Sequence, residues 1–439
     1  MNAEVLPIKT AAETALVEAF ASEKARLPGG REVAARREAA FRRFEASGLP
    51  HRRMEEWKYT DLRTLMRDAK PLAGPPDQTR PAPPAIADAL PGIDAHRVAI
   101  VNGAYAPAWS DLAGADPGVA LIDLFAWIAD NLTAYQELIA QENDIATALN
   151  TAFVTGGVVL RVKKDACIGK PIHLAYALTG DTPAAMFPRT IVVVEPGAQV
   201  TLIETFDGPA GLDYQVNAAL ALAVGDGAKV ERIKIGRDGT AALHISTVMT
   251  TIGAKANYRE LTFTTGGAVT RNQLFLRCAG DASNVWIGGA NLIKDRQHVD
   301  STLVIDHAAR GCESREMFKS VLDGESRAVF QGKIIVRPGA QKTDGKMMTR
   351  ALLLSDKAEA DNKPELEIFA DDVQCGHGAT AGQLDENLLF YLKARGIPAK
   401  EAEALLIQAF VGEAIDGIGH VGLRETLNGR VAAWLEARG

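Results

Sequence analysis

Cys375, Gly376 and His377 set a thiol and an imidazole two residues apart near the end of the chain. In an extended backbone, residues two apart point to the same face. A Cys-x-His pair on a strand therefore presents sulfur and nitrogen side by side, and iron and zinc accept both donors. The surrounding residues set the frame. Leu366 to Val373 alternates as a strand does and ends in Asp371 and Asp372, after which Gly378-Ala379-Thr380 is expected to break the strand. Asp385 is a good N-cap for a helix running to Arg395. Lys393 and Arg395 suit its negative end, and Gly396 with Pro398 gives the stop.

Other candidates read as packing. Cys312 lies near His307 and His298, but without tight ligand spacing these three do not predict a metal site. Cys167 and Cys278 read as core thiols, and His173, His244 and His420 stand alone. Asp371 and Asp372 would face opposite sides of a strand, unlike a glycosidase carboxylate pair; one of them suits an ion pair with a lysine. No G-x-x-x-x-G-K-[ST] loop is present, so the chain is not expected to hydrolyse ATP. Trp57 and Tyr59 lack a basic stripe and read as packing residues. Leu388, Leu389 and Leu392 form one apolar face of the 385–395 helix, and Phe390 and Tyr391 lie on other sides. Such a helix is covered from more than one direction, one side by the solenoid described next and the other by a partner.

These residues need elements to hold them. A chain of 439 residues exceeds one typical core. Its net charge of −7 gives no reason to expect nucleic acid. Four scattered cysteines predict no disulfide framework and fit a reducing cytosol. The start, with Glu4 and Glu13 and no uninterrupted apolar run, predicts no leader, and the most apolar run, Ala218–Val224, is too short to span a bilayer. Residues 10–70 and 121–149 have helical spacing, 71–92 are rich in Pro and Gly, and Val98–Asn102 reads as a short strand. From Val158 to Val373, short β-branched runs alternate with Gly-Ala or Gly-Asp turns, several at intervals of roughly 25–30 residues. That period fits a solenoid, and periodicity alone leaves a sandwich or jelly roll open. Helical spacing returns after Leu384, with a second helix through Leu405, Leu406, Ala409 and Phe410 and a third through Leu423, Leu427, Val431 and Leu435. The expected division is 1–150 helical with a connector, 151–380 solenoid core, and 381–439 helical.

The stretch from Ala370 to Ile397 resembles the SufB/SufD family of iron–sulfur cluster assembly proteins, its SufD branch in particular. The strings ADDV-x-C-x-HGAT-x-G-x-LDE and FYL-x-x-RGI carry the likeness. Glu56-Trp57-Lys58-Tyr59-Thr60, Ser314-Arg315-Glu316, Phe330–Ile334, Gly339–Asp344 and Leu352–Ser355 extend it over essentially the whole length. The resemblance implies a mainly β fold: a right-handed parallel β-helix core flanked by N-terminal and C-terminal helical domains. It implies a cytoplasmic, non-catalytic scaffold subunit, pairing with a SufB-like subunit and docking SufC-like ABC ATPases. A transient iron–sulfur cluster would form at the subunit interface, and no cofactor would be tightly bound to the isolated chain. His377 would supply a ligand, with Cys375 as a second donor; Gly376 stands where the family commonly has serine. Leu388, Phe390, Tyr391 and Arg395 would face the ATPase. A solenoid edge that pairs with a homologue can also pair with itself, so a homodimeric iron-handling protein is the alternative. A polysaccharide-active β-helix enzyme is a further alternative, disfavoured by the missing leader and the unpaired acids.

Overall fold

Seven corner residues with positive φ show how the chain coils. Asp165, Gly197, Gly227, Lys255, Ala282, Gly311 and Lys342 follow one another at steps of 27 to 32 residues. Each donates its backbone N–H to a carbonyl of the next coil, as from Gly197 to Asp226 and from Lys342 to Asp372. Three of the seven are glycine, and of the glycine turns read in the sequence only Gly197 and Gly227 belong to this series. Asp165, Lys255, Ala282 and Lys342 hold the same left-handed conformation without being glycine, and the stacked hydrogen bonds offset that strain.

The structure is a computed structural model and describes residues 9–139 and 144–438. The part of the leader reading on residues 1–8 and the part of the 121–149 helical reading on 140–143 lie outside the described residues. The chain opens with helices α1 (Ala11–Glu23), α2 (Arg31–Ser47), α3 (Leu62–Leu65) and α4 (Pro84–Ala87). Thr10 and Glu13 form a capping box at α1. Strands β1 (His96–Val101), β2 (Ala104–Tyr105) and β3 (Val119–Asp123) follow, then α5 (Leu124–Asp130), α6 (Leu132–Leu138) and α7 (Ile145–Phe153).

The solenoid begins with β4 (Gly156–Val162), β5 (Ile172–Ala177), β6 (Ala185–Met186), β7 (Pro188–Val194), β8 (Gln199–Asp207), β9 (Gln215–Val224) and β10 (Lys229–Arg237). It continues through β11 (Leu243–Ile252), β12 (Asn257–Thr264), β13 (Val269–Cys278), β14 (Asn284–Ile293) and β15 (His298–His307). It ends with β16 (Glu313–Leu322), β17 (Arg327–Val336), β18 (Asp344–Leu353), β19 (Glu359–Ile368) and β20 (Gln374–Gly382). Successive strands alternate between two parallel sheets, giving about eight coils of a parallel β-solenoid. Helices α8 (Glu386–Ala394), α9 (Ala399–Ile415) and α10 (Val421–Glu436) close the chain.

Most middle strands are buried on both faces. Val230, Ile287 and Leu303 fill the lumen between the sheets. On the outer side, Ile233, Phe263 and Val321 pack beneath α9 and α10. Leu243 and Ile245 lie against the N-terminal helices, while Ile191 and Met249 lie against α5 and α6. Two-sided burial explains why Ala218–Val224 is a continuous apolar run and not an alternating one.

Three local expectations change. The strand through Leu366 ends at Ile368, and Asp371 and Asp372 sit in the corner that follows. Gly378-Ala379-Thr380 does not break a strand, because those residues pair in register with Met348, Thr349 and Arg350 of β18. In α9 the buried stripe is Ala402, Ile407, Val411, Ala414 and Ile415, so Leu405 and Ala409 face solvent. The third helix keeps its expected stripe: Leu423, Leu427, Val431 and Leu435 are all buried.

Candidate functional site

Cys375 and His377 lie on the last strand, β20, opposite Gly345 and Met347 of β18. Met347 is buried in the lumen core, so its register partner His377 is on the lumen side, as is Cys375 two residues earlier. Among the described residues no coil follows β20 to cover them. Cys375 is half-buried against the core and His377 is exposed. Burial pushes the Cys375 thiol up, and the charges of Asp344 and Glu316 push the same way. The sulfur is therefore held as a neutral thiol. A Cβ at Gly378 would sit 2.6 Å from Met348 Cε, so the glycine leaves room for that flexible side chain. Asp372 forms an ion pair with Lys342 at the corner, the lysine partnership expected for one of the two acids.

Helix α8 follows directly. Asp385 caps it by accepting from the N–H groups of Asn387 and Leu388 at 2.8 and 3.2 Å. Gly396 ends it at φ 86°. The helix packs on α9, and none of its residues is buried. Leu389 and Leu392 are half-covered, whereas Leu388 is 51% exposed, Phe390 72% and Tyr391 53%. The Arg395 guanidinium lies 3.7 Å from the Tyr391 ring centroid, a cation–π contact. The expected covering of α8 from more than one direction is not met within the chain.

The segment Glu56–Thr60 holds the N-terminal region onto the solenoid. Trp57 is buried and its ring stacks under Arg271, 3.8 Å from ring centroid to guanidinium. Arg271 also bonds to Asp300 and donates to the Glu56 carbonyl at 2.7 Å. The Thr60 hydroxyl binds both Asp300 and His298. His298 is thus committed to this clamp, away from His307.

His307 and Cys312 do come together, and their third member is Cys278. The ligand atoms of the three lie within 4.8 Å of one another, and all three residues are buried. Spacing along the sequence hid this group, because one coil separates Cys278 from His307, which are register partners on β13 and β15. The coil period was the signal that could have found it. The neighbouring Cys278 lowers the Cys312 thiol, as do His307 and Ser283, while Cys278 itself is raised. Cys167, read as a core thiol, is exposed, since its neighbour Ile168 takes the inward position.

The sequence reading also missed the polar lumen. Arg232 sits between Glu204 and Glu260 at 2.6 and 2.7 Å, all three buried. Lys234 reaches His244, Ser246 and Asn272, and burial beside Arg232 lowers it to about 7. Glu316 also faces the lumen, and burial raises its carboxyl to about 8. His173 bonds to Thr205, and His420 caps α10 through its Nδ1.

Two family profiles cover the chain. One, the SufBD core domain of the SUF system of FeS cluster assembly, matches residues 176–410. The other, the SufBD protein N-terminal region, matches 11–174. An iron–sulfur cluster assembly SufBD family protein of Synechocystis is 33% identical over 84% of this chain and 84% of its own length. The iron–sulfur cluster assembly protein SufD of Escherichia coli is 29% identical over 88% of this chain and 89% of its own. SufD of Bacillus subtilis is 28% identical over 64% of each.

Proposed function

The chain belongs to the SufBD family of iron–sulfur cluster assembly proteins, and from that premise we propose that it is a SufD-like scaffold subunit. It pairs through its open solenoid end with a SufB-like subunit, docks SufC-like ATPases through α8, and contributes His377 to a cluster forming at the interface. The cluster is cargo and leaves the scaffold. The single observation that carries this reading is the uncovered last coil. There an exposed imidazole and a half-buried thiol share one face beside an unpaired strand edge. An unpaired edge is a template for a second sheet, and a partner closing over it would enclose both donors. Exposed Phe390 and Tyr391 support α8 as the docking helix, because aromatic anchors are enriched in interfaces. The cytosol suits such a site, since free thiols persist there.

His377→Ala tests the ligand role. Complex assembly with co-expressed SufB-like and SufC-like subunits is expected to persist, while iron and sulfide per complex fall. Cys375→Ala is expected to have the smaller effect, because its thiol also packs on the core. Cluster content at the parent level in the His377 variant would rule the ligand role out. A complex of this chain with itself, unaltered by a co-expressed SufB-like subunit, would favour the homodimeric reading.

A further inference from the structure

One corner of the solenoid brings two sulfurs and a nitrogen together, the Cys312 thiol donating to the Gly280 carbonyl at 3.4 Å. Cys278 ends β13 and His307 ends β15, and they face each other across the ladder. The chain then turns through 308–311 and brings Cys312 back onto the same spot. All three residues have zero exposure. His307 Nε2 lies 3.0 Å from Ser314 Oγ, whereas His307 Nδ1 is buried without a hydrogen-bond partner. Unpaired buried nitrogens are costly and need a reason. Metal ligation supplies one: a ligating imidazole commonly donates its other N–H to an oxygen, as Nε2 can to Ser314, which frees Nδ1 for the ion. The Ser283 hydroxyl donates to Cys312 Sγ at 3.2 Å, giving the sulfur an outer hydrogen bond as well.

We propose that Cys278, His307 and Cys312 form a closed metal site that takes one divalent thiophilic ion of the zinc(II) or iron(II) class. Two thiolates and a neutral imidazole around a divalent ion are neutral overall, which a buried corner requires. No fourth His, Cys, Asp or Glu joins the group among the described residues, so a water completes a tetrahedral ion. The site is separate from the open end. Ser314, Gly345 and Cys375 are successive register partners, so Cys375 lies two strand spacings, roughly 10 Å, beyond Ser314. Because the ion replaces two thiol protons, affinity falls as pH falls.

The test uses the full chain, purified reduced and without oxygen, and titrated with Co2+. The expected result is one Co2+ per chain with thiolate-to-cobalt absorption, displaced by Zn2+ and resistant to equimolar Fe2+, which ranks below Co2+ at such donors. Cys278→Ser and Cys312→Ser are expected to lose the absorption, and His307→Gln to weaken binding by about tenfold or more. Cys375→Ser keeps the absorption at two-thiolate intensity, and this variant at the exposed end folds even if the buried variants do not. Absence of the band in Cys375→Ser, or its persistence in folded Cys278→Ser or Cys312→Ser, would overturn the site. So would a Cys278–Cys312 disulfide in the anaerobic protein with no ion bound after reduction.

Discussion

The two ends of the solenoid face the same physical problem and treat it differently. At the N-terminal end, β2 folds back antiparallel on β1 and β3 pairs antiparallel with β4. Helices α5 to α7 then cover the outer face. At the C-terminal end, β19 and β20 carry no further strand, and β20 is mostly exposed. Natural sheets blunt edges that would otherwise recruit a neighbour. One end is blunted and the other is left open, and the Cys-x-His pair is on the open one. The contrast teaches where binding is to be sought: at the end that the chain does not cap itself.

The largest effect is expected where the N-terminal region is clamped down. Trp57 fills a buried position and stacks on Arg271, whose only carboxylate contact among the described residues is Asp300. Trp57→Ala should cost about 3–5 kcal/mol in urea unfolding, from lost burial and lost cation–π contact. A cost under about 1 kcal/mol would break the distinction between a closed region held by its own contacts and an open one awaiting a partner.

Much of this architecture was legible. Strands with β-branched runs, such as β7, β8 and β10, announce themselves, and so do α8 and α10. Strands β14, β16 and β18 do not, because their residues read as polar or broken, and of β19 only the end from Leu366 does. Glu359–Ile368 contains Pro364, which argues against a central strand. It is tolerated because β19 ends its sheet and an edge strand can lack a ladder donor. The Cys-x-His pair was legible because its geometry is local. The Cys278–His307–Cys312 group was not, because only stacking of coils brings residues 29 apart into contact.

A middle-sized effect concerns the lumen just inside the open end. Glu316 is 2% exposed, and burial raises its carboxyl from 4.5 to about 8. The folded chain therefore binds a proton that the unfolded chain releases between those values. Its stability contribution is complete below about 4.5 and is lost as pH rises through about 8. Glu316→Gln removes this dependence. The variant should match the parent at pH 4 and be more stable by about 3 kcal/mol at pH 7. Equal stability of parent and variant at pH 7 would mean that Glu316 is paired or hydrated in solution, and that the lumen is wet from the open end.

The smallest effect on the chain itself is expected at α8. Phe390 is 72% exposed and Tyr391 53%, so neither ring gains much from the fold. Surface truncations of this kind stay within about 0.5 kcal/mol, and Phe390→Ala and Tyr391→Ala should melt with the parent. Binding is another matter. A large apolar ring left in water contributes only when something covers it, and interface anchors of this type lose about 2 kcal/mol or more on truncation. Tyr391→Ala also frees Arg395 from its stack, which costs pre-organisation of the guanidinium. The expected pattern is thus unchanged melting with at least tenfold weaker binding to the SufC-like ATPase, read by titration calorimetry of the complete chain. Unchanged affinity in both variants would remove α8 from the interface and leave its exposed rings without a role. Lowered melting in both would mean that α8 is already covered in solution, most directly by a second copy of the chain, and that the open end is closed by self-pairing.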